Sequence, residues 1–294
     1  MSVDGRTCRS CGAPVEARFC SACGERWIPE QGEGLHQVVG TWLGDFLGTD
    51  GRIWRTMAAA VFRPGLLTDD YLRGRRQPWL RPLQLFVVCN VLYFLLQPFT
   101  SFNAFASTLQ VQLEFQGYSE SIRPTVDTWR AERSRELAAK GVEPELAEAM
   151  ADELLNARFD RTFQGLSKAA LILLVPLLAL GVALVTPRAG PSFWLVFSLH
   201  YTAAVLLAVH LAWAFVTRLV LEALQLEQGP LRWVMTEGAA LGISVLWAAC
   251  ALRRLRSYAW WRAVLSGLLL GVWFLIAMIS YRYALFWWTW SVVT

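Results

Sequence analysis

The sequence predicts an all-α integral membrane protein of about five transmembrane helices, with a small cysteine-bearing module at its front and a helical insert after the first span. Three observations carry that reading. The 294-residue chain is 55% apolar and only 17% charged, where a soluble domain would be about a quarter charged. The apolar excess falls in long blocks after Leu83, as a bilayer solvent requires. Four cysteines form two Cys-x-x-Cys pairs ahead of any such block. A single compact soluble core is excluded.

The front module occupies residues 1–29. It reads Cys8-Arg-Ser-Cys11-Gly12, then Cys20-Ser-Ala-Cys23-Gly24. Each Cys-x-x-Cys turn lets two thiolates reach one ion, and the glycine after it permits the positive φ of a metal knuckle. Four thiolates then close one tetrahedral Zn²⁺, so Cys8, Cys11, Cys20 and Cys23 are the predicted ligands of a structural zinc ribbon. An iron–sulfur or rubredoxin-like centre is the other use of four thiolates. With every ligand position taken by cysteine, no open site is left for catalysis. Arg6, Arg9, Arg18 and Arg26 stand against Asp4, Glu16 and Glu25, too mild a balance for a surface that tracks nucleic-acid phosphates. Cys89 and Cys250 lie in apolar segments, where a thiol behaves as a small hydrophobe. The polar first thirty residues read as no cleavable signal peptide.

Residues 30–81 read as amphipathic juxtamembrane helices. Leu35, Val38, Val39, Trp42, Leu43, Phe46 and Leu47 share one helical face. A second stretch, Ile53 to Phe62, is stopped by Pro64-Gly65. Both lie in the headgroup plane or pack on the ends of the spans. Thr68-Asp69-Asp70 reads as an N-cap followed by first-turn acids. Arg73, Arg75, Arg76 and Arg81 then lead into the first span, as lipid-phosphate contacts, as a topology signal, or as both.

The order of these features, a ribbon, then Arg63-Pro64-Gly65, Tyr71-x-x-Gly74-x-Arg76, and Pro82 opening a span, resembles a bacterial family of zinc-ribbon membrane proteins known only as a domain of unknown function. The resemblance covers roughly residues 8–98 and implies no activity. More loosely, a cytosolic zinc-binding front ahead of about five spans is similar to the layout of Arv1- and Yip1-type membrane proteins, which implies lipid handling or membrane organisation. The two knuckles stand closer together here than in the Arv1 type.

Span one covers residues 82–99, with Pro82 suited to a first helical turn. Residues 100–166 form an extracytoplasmic helical insert in which acids outnumber bases, and its last helix runs on toward span two. Residues 167–294 hold spans two to five, Ala169–Thr186, Phe193–Leu221, Trp233–Leu252 and Ala263–Tyr281, with an aromatic C-terminal tail. Arginines gather at one set of span ends, which places the ribbon in the cytosol and the C-terminus outside. Only Lys140 and Lys168 are lysines, a bias read as GC-rich bacterial coding, hence a bacterial inner-membrane, multi-pass location.

Ionisable groups inside spans are functional candidates. Glu237 faces the level of Phe215, with His210 and Arg218 each within about a turn and a half, so Glu237 with Arg218 or His210 forms a cluster suited to relaying protons, to binding a polar ligand, or to a structural ion pair. His200 and His210 do not share a helical face. Gly238/Gly242 and Gly267/Gly271 are small-residue pairs for close packing of spans four and five, or for a homo-oligomer. No nucleophile with its base, paired catalytic carboxylates or phosphate loop stands out. The sequence therefore points to a non-enzymatic membrane protein whose ribbon docks a partner and whose spans meet lipids. The alternatives are a small transporter or channel using Glu237, His210 and Arg218, and a lipid-modifying enzyme at the headgroup level.

Overall fold

In the computed structural model the described residues are 7, 12–14, 20–22, 51–75, 78–99, 105, 107–225 and 238–294. The chain divides into two compact units, Met1–Arg52 and Ile53–Thr294. In the first, Thr7 and Pro14 form an antiparallel bridge, and Cys20 is buried. Cys8, Cys11 and Cys23 lie outside the described residues, as do the stretch 35–47, Arg76 and Glu237.

The second unit is helical throughout its described residues. Helix α1 (Arg52–Phe62) and helix α2 (Leu66–Leu72) precede α3 (Pro82–Leu96). Helices α4 (Leu109–Glu114) and α5 (Ser119–Ala139) lead to α6 (Pro144–Ala170), which passes through a 3₁₀ turn at Leu171–Leu173 into α7 (Leu174–Val185). Then come α8 (Pro191–Val205), a π-helical stretch Leu206–Trp213, α9 (Ala214–Ala223), α10 (Ala239–Arg256) and α11 (Trp260–Val293). Prolines at 82, 144 and 191 each open a helix, where the missing N–H costs nothing. Pro176 acts differently: it cannot donate to the carbonyl of residue 172, and the tight turn sits there.

Among the described residues, four helices are long and apolar enough to cross a membrane: Pro82–Phe99, Pro144–Val185, Pro191–Ala223 and Trp260–Val293. Their surfaces carry what water would not tolerate. On α3, Leu83, Val87, Val91 and Leu95 are exposed at four-residue steps; on α11, Leu265, Leu268, Val272, Ile276 and Ile279 are. Continuous apolar stripes of this size on a folded surface mark contact with lipid, and the chain is embedded in a membrane. The segment read as the fourth of five spans is described only as α10, whose last turn carries Arg253, Arg254 and Arg256.

Close approach between spans rests on glycine, though not in the arrangement the sequence suggests. A Cβ on Gly267 would meet the Val245 carbonyl oxygen at 2.8 Å, and one on Gly271 would meet Val245 Cγ2 at 2.5 Å. The Gly267/Gly271 face is therefore filled by α10 of the same chain and is not open to a second copy. Gly242 faces open space, so the two small-residue pairs do not meet; α10 offers Leu241, Val245 and Ala249 instead. On its other side α11 drives Trp273 into the notch at Gly181 of α7, and the indole N–H donates to Leu177 O at 2.8 Å.

The insert is built on two spans that outrun the bilayer. A 20-residue helix already spans about 30 Å, whereas Pro144–Val185 has 42 residues and α11 has 34. Their far ends lie against each other, with Phe159 and Phe163 stacked 5.6 Å apart and Phe286 5.3 Å from Phe159. Phe286 and Trp290, in the aromatic C-terminal tail, are buried in that helix contact.

Candidate functional site

The site is assembled by the segment between the first unit and span one. Gly65 makes it possible. With φ near 80° and a virtual Cβ only 3.0 Å from Ala251 O, it can be neither a larger residue nor one restricted to negative φ. The turn Arg63-Pro64-Gly65 thus lays α2 flat against α10. Helix α1 docks beside it: Ile53, Thr56, Met57 and Ala60 are buried, and Trp247 of α10 donates its indole N–H to Ala60 O at 2.8 Å. Of the two sequence readings, packing on the span ends describes α1.

The expected N-cap at Thr68 is not formed. Helix α2 starts at Leu66 with Gly65 as its cap residue, so Thr68, Asp69 and Asp70 sit within the helix and their side chains reach elsewhere. Thr68 Oγ1 is fully buried, 2.9 Å from His200 Nδ1 on α8. Asp70 accepts a hydrogen bond from Trp79 Nε1 at 2.8 Å, and the Arg75 guanidinium stands 3.7 Å from its other oxygen. Asp69 holds Arg73 at 2.8 Å. Gly74, at φ 82°, reverses the chain so that Arg75 N donates to Asp70 O at 2.8 Å. The returning strand is pinned by Leu80 N donating to Thr56 Oγ1 at 3.2 Å, and Arg81 N donates to Gln84 Oε1 as α3 begins.

These bonds enclose a recess lined by Leu67, Tyr71, Arg75, Trp79, Leu80, Arg81 and His200. It is narrow: the whole recess has room for about one water-sized atom. Two of the four arginines singled out by sequence, Arg75 and Arg81, line it. Arg73 does not, and Arg76 lies outside the described residues. Further along the same end of the bundle, Arg253 lies 3.9 Å above the Trp260 ring and Arg262 4.6 Å above Tyr258, so these cations are stacked on aromatic faces.

The intramembrane candidates separate. Arg218 pairs with Glu222 one turn away at 2.7 Å, on an exposed face, and is not drawn toward His210. His210 is buried in the π-helical stretch, its ring 4.9 Å from Phe105 and 5.9 Å from Tyr93. His200 and His210 face different partners, as their spacing requires, and no group of three His, Cys, Asp or Glu among the described residues is set to hold a metal. Sequence reading missed Arg282. It donates to Gln116 Oε1 at 3.0 Å from α11, and its charge opposes the burial that pushes the neighbouring Tyr118 hydroxyl up to about 12. Its signal was its position after Tyr281, inside a stretch otherwise free of charge.

Residues 50–94 match a family described as "Protein of unknown function (DUF3667)". No curated protein and no solved structure matches the chain. The matched segment runs from α1 through most of α3 and supplies every residue lining the recess except His200. The motifs Arg63-Pro64-Gly65, Tyr71, Gly74 and Pro82 fall inside it; the cysteine module does not.

Proposed function

We propose that this chain is a non-catalytic, multi-pass protein of a bacterial inner membrane that engages lipids at its arginine-rich end, with five spans, a cytosolic front and the C-terminus outside. Its cysteine module is a ribbon holding one structural Zn²⁺ through Cys8, Cys11, Cys20 and Cys23, and serves as a docking element for a protein partner. One observation carries the lipid reading. Residues 53–75 and 78–82 are bound into the ends of the spans, and two of their arginines stand at a recess ahead of an exposed apolar stripe. A cytosolic place for that end follows from Arg63, Arg73, Arg75, Arg81, Arg188, Arg253, Arg254 and Arg256 gathering there.

Two measurements on purified protein test this. Elemental analysis should give one zinc per chain, lost in Cys8→Ser. Mass spectrometry of the detergent extract should find phospholipid retained through size exclusion. Protein that carries no lipid would overturn the lipid reading, and protein without zinc would overturn the ribbon. A second reading, a small transporter using His210 and Glu237, draws on the π-helical stretch at His210, since such stretches recur at functional sites. Proton or solute flux in proteoliposomes, abolished by Glu237→Gln, would favour it.

A further inference from the structure

We infer that the recess between α2, α3 and α8 holds the phosphate of one anionic phospholipid, whose acyl chain lies along Leu83, Val87, Val91 and Leu95. The inference rests on the lipid reading above and specifies its site, ligand chemistry and residues.

The argument starts from which cations are already committed. Arg73 is held by Asp69 at 2.8 Å and does not line the recess. Arg75 is paired only loosely, 3.7 Å from a carboxylate that already accepts the Trp79 indole, and its side chain is 65% exposed. Arg81 has no carboxylate within 4 Å among the described residues, and its backbone is fixed at the start of α3. Two guanidinium groups at one small opening favour a tetrahedral phosphate, which can accept from both at once.

The floor of the recess has a specific polar lining. Thr68 occupies Nδ1 of His200, so Nε2 is the ring atom left to meet whatever enters. When the Thr68 hydroxyl donates to Nδ1, the neutral imidazole carries its proton on Nε2 and presents a donor. The recess has room for about one water-sized atom, so one phosphate oxygen enters it while the rest of the phosphate stays at its mouth between Arg75 and Arg81. Trp79 and Tyr71 on the walls are the residue types that settle at a headgroup boundary.

The apolar stripe distinguishes a lipid from free phosphate. It begins two residues after Arg81 and continues on one face of α3 to Leu95, with exposures of 55, 39, 60 and 67%. Twelve residues of helix extend about 18 Å, close to the depth of one leaflet of a core about 30 Å thick. A lipid whose phosphate sits between Arg75 and Arg81 therefore has a groove of matching length for its chain.

The test uses the full chain in phosphatidylcholine nanodiscs with and without phosphatidylglycerol, read by native mass spectrometry for lipid retained after extraction and by thermal melting. Wild type should retain phosphatidylglycerol selectively and melt higher in its presence. Arg75→Ala and Arg81→Ala should each reduce retention about fivefold, and the double variant should abolish the melting shift. Arg73→Ala should change neither. Both arginines are exposed, so loss of fold does not mimic the result, and an unchanged melting point in phosphatidylcholine alone confirms it. Selective retention that survives the double variant overturns this site while leaving the lipid reading intact; no retention in wild type overturns the lipid reading as well. An equal melting shift with inorganic phosphate in place of lipid overturns the chain groove and leaves a free-phosphate site.

Discussion

The two ends of the helical bundle satisfy their polar groups in different ways. At the hairpin end, formed by α5, the charged half of α6 and the last turns of α11, charges pair with one another. Arg130 meets Asp152 at 2.8 Å across the hairpin, Arg133 meets Glu136 at 2.7 Å, and Asp160 accepts from Leu109 N at 2.8 Å. A continuous aromatic core of Phe159, Phe163 and Phe286 runs beneath them. At the arginine end, single hydrogen bonds join short elements to the bundle, Thr68 to His200 and Trp247 to Ala60, and to one another, Trp79 to Asp70 and Leu80 to Thr56. Two arginines are left at an opening. An end whose charges cancel internally is built to hold shape, whereas one that spends its acids on positioning leaves cations for a ligand.

The strongest way to break this contrast is at the hairpin core. Phe159 is fully buried between Phe163 and Phe286, and Phe159→Ala should cost about 3–5 kcal/mol. The melting temperature in detergent should fall sharply, while phosphatidylglycerol should still raise it, because the recess lies at the other end. Loss of the lipid response in a folded Phe159→Ala protein would show that the two ends are not independent.

Next in size is Gly65→Ala. A side chain at φ near 80° costs roughly 1–2 kcal/mol, and the new Cβ would press on Ala251 O. Helix α2 should lift from α10, so lipid retention should fall together with melting temperature. A stable variant with full retention would mean that the turn does not hold the recess.

Much of this was legible in sequence, and the failures share a cause. The long apolar helices, the Pro64-Gly65 break, the tight turn before Pro191 and the insert's last helix running into a span all follow from period and breaker residues, which act locally. Thr68-Asp69-Asp70 misled because the same side chains that cap a helix also serve tertiary partners, and His200 lies 132 residues away. Glu237 was set with Arg218 or His210 on helical depth; Glu237 lies outside the described residues, and Arg218 is found with Glu222 one turn on. The Gly267/Gly271 pair was rightly a close-packing signal, but its partner is a ridge of Leu241, Val245 and Ala249, which no small-residue spacing marks. At the recess, Arg75 and Arg81 were among the arginines chosen, yet nothing local separates them from Arg73. What separates them is the acid Arg73 meets at 2.8 Å, where Arg75 meets one only at 3.7 Å and Arg81 meets none among the described residues.

Thr68→Val sharpens the arginine end. The swap keeps shape and removes the hydroxyl, leaving His200 Nδ1 buried without its partner, at a cost of about 1–3 kcal/mol. It also frees the imidazole tautomer, so retention of phosphatidylglycerol should weaken more than in Arg73→Ala. Thr68→Ser, which restores the hydroxyl, should recover it. If Ser fails to rescue, the Thr68 methyl rather than its hydroxyl matters, and Nε2 has no assigned role.

The smallest effect belongs to the most visible ion pair. Arg130 Nε and Asp152 approach to 2.8 Å without hydrogen-bond alignment at that nitrogen, Asp152 is about half exposed, and pairs reached by water contribute about 0–1 kcal/mol. Arg130→Ala should shift melting barely, and by less still at high salt. Its value is as a control on the comparison. If the hairpin end keeps its shape through Phe159 and its neighbours, removing this pair leaves the melting curve nearly in place. If Arg130→Ala instead costs as much as Thr68→Val, the hairpin depends on its charges as the arginine end depends on its hydrogen bonds, and the distinction between an end that holds shape and an end that holds a ligand would have to rest on Arg75 and Arg81 at the recess alone.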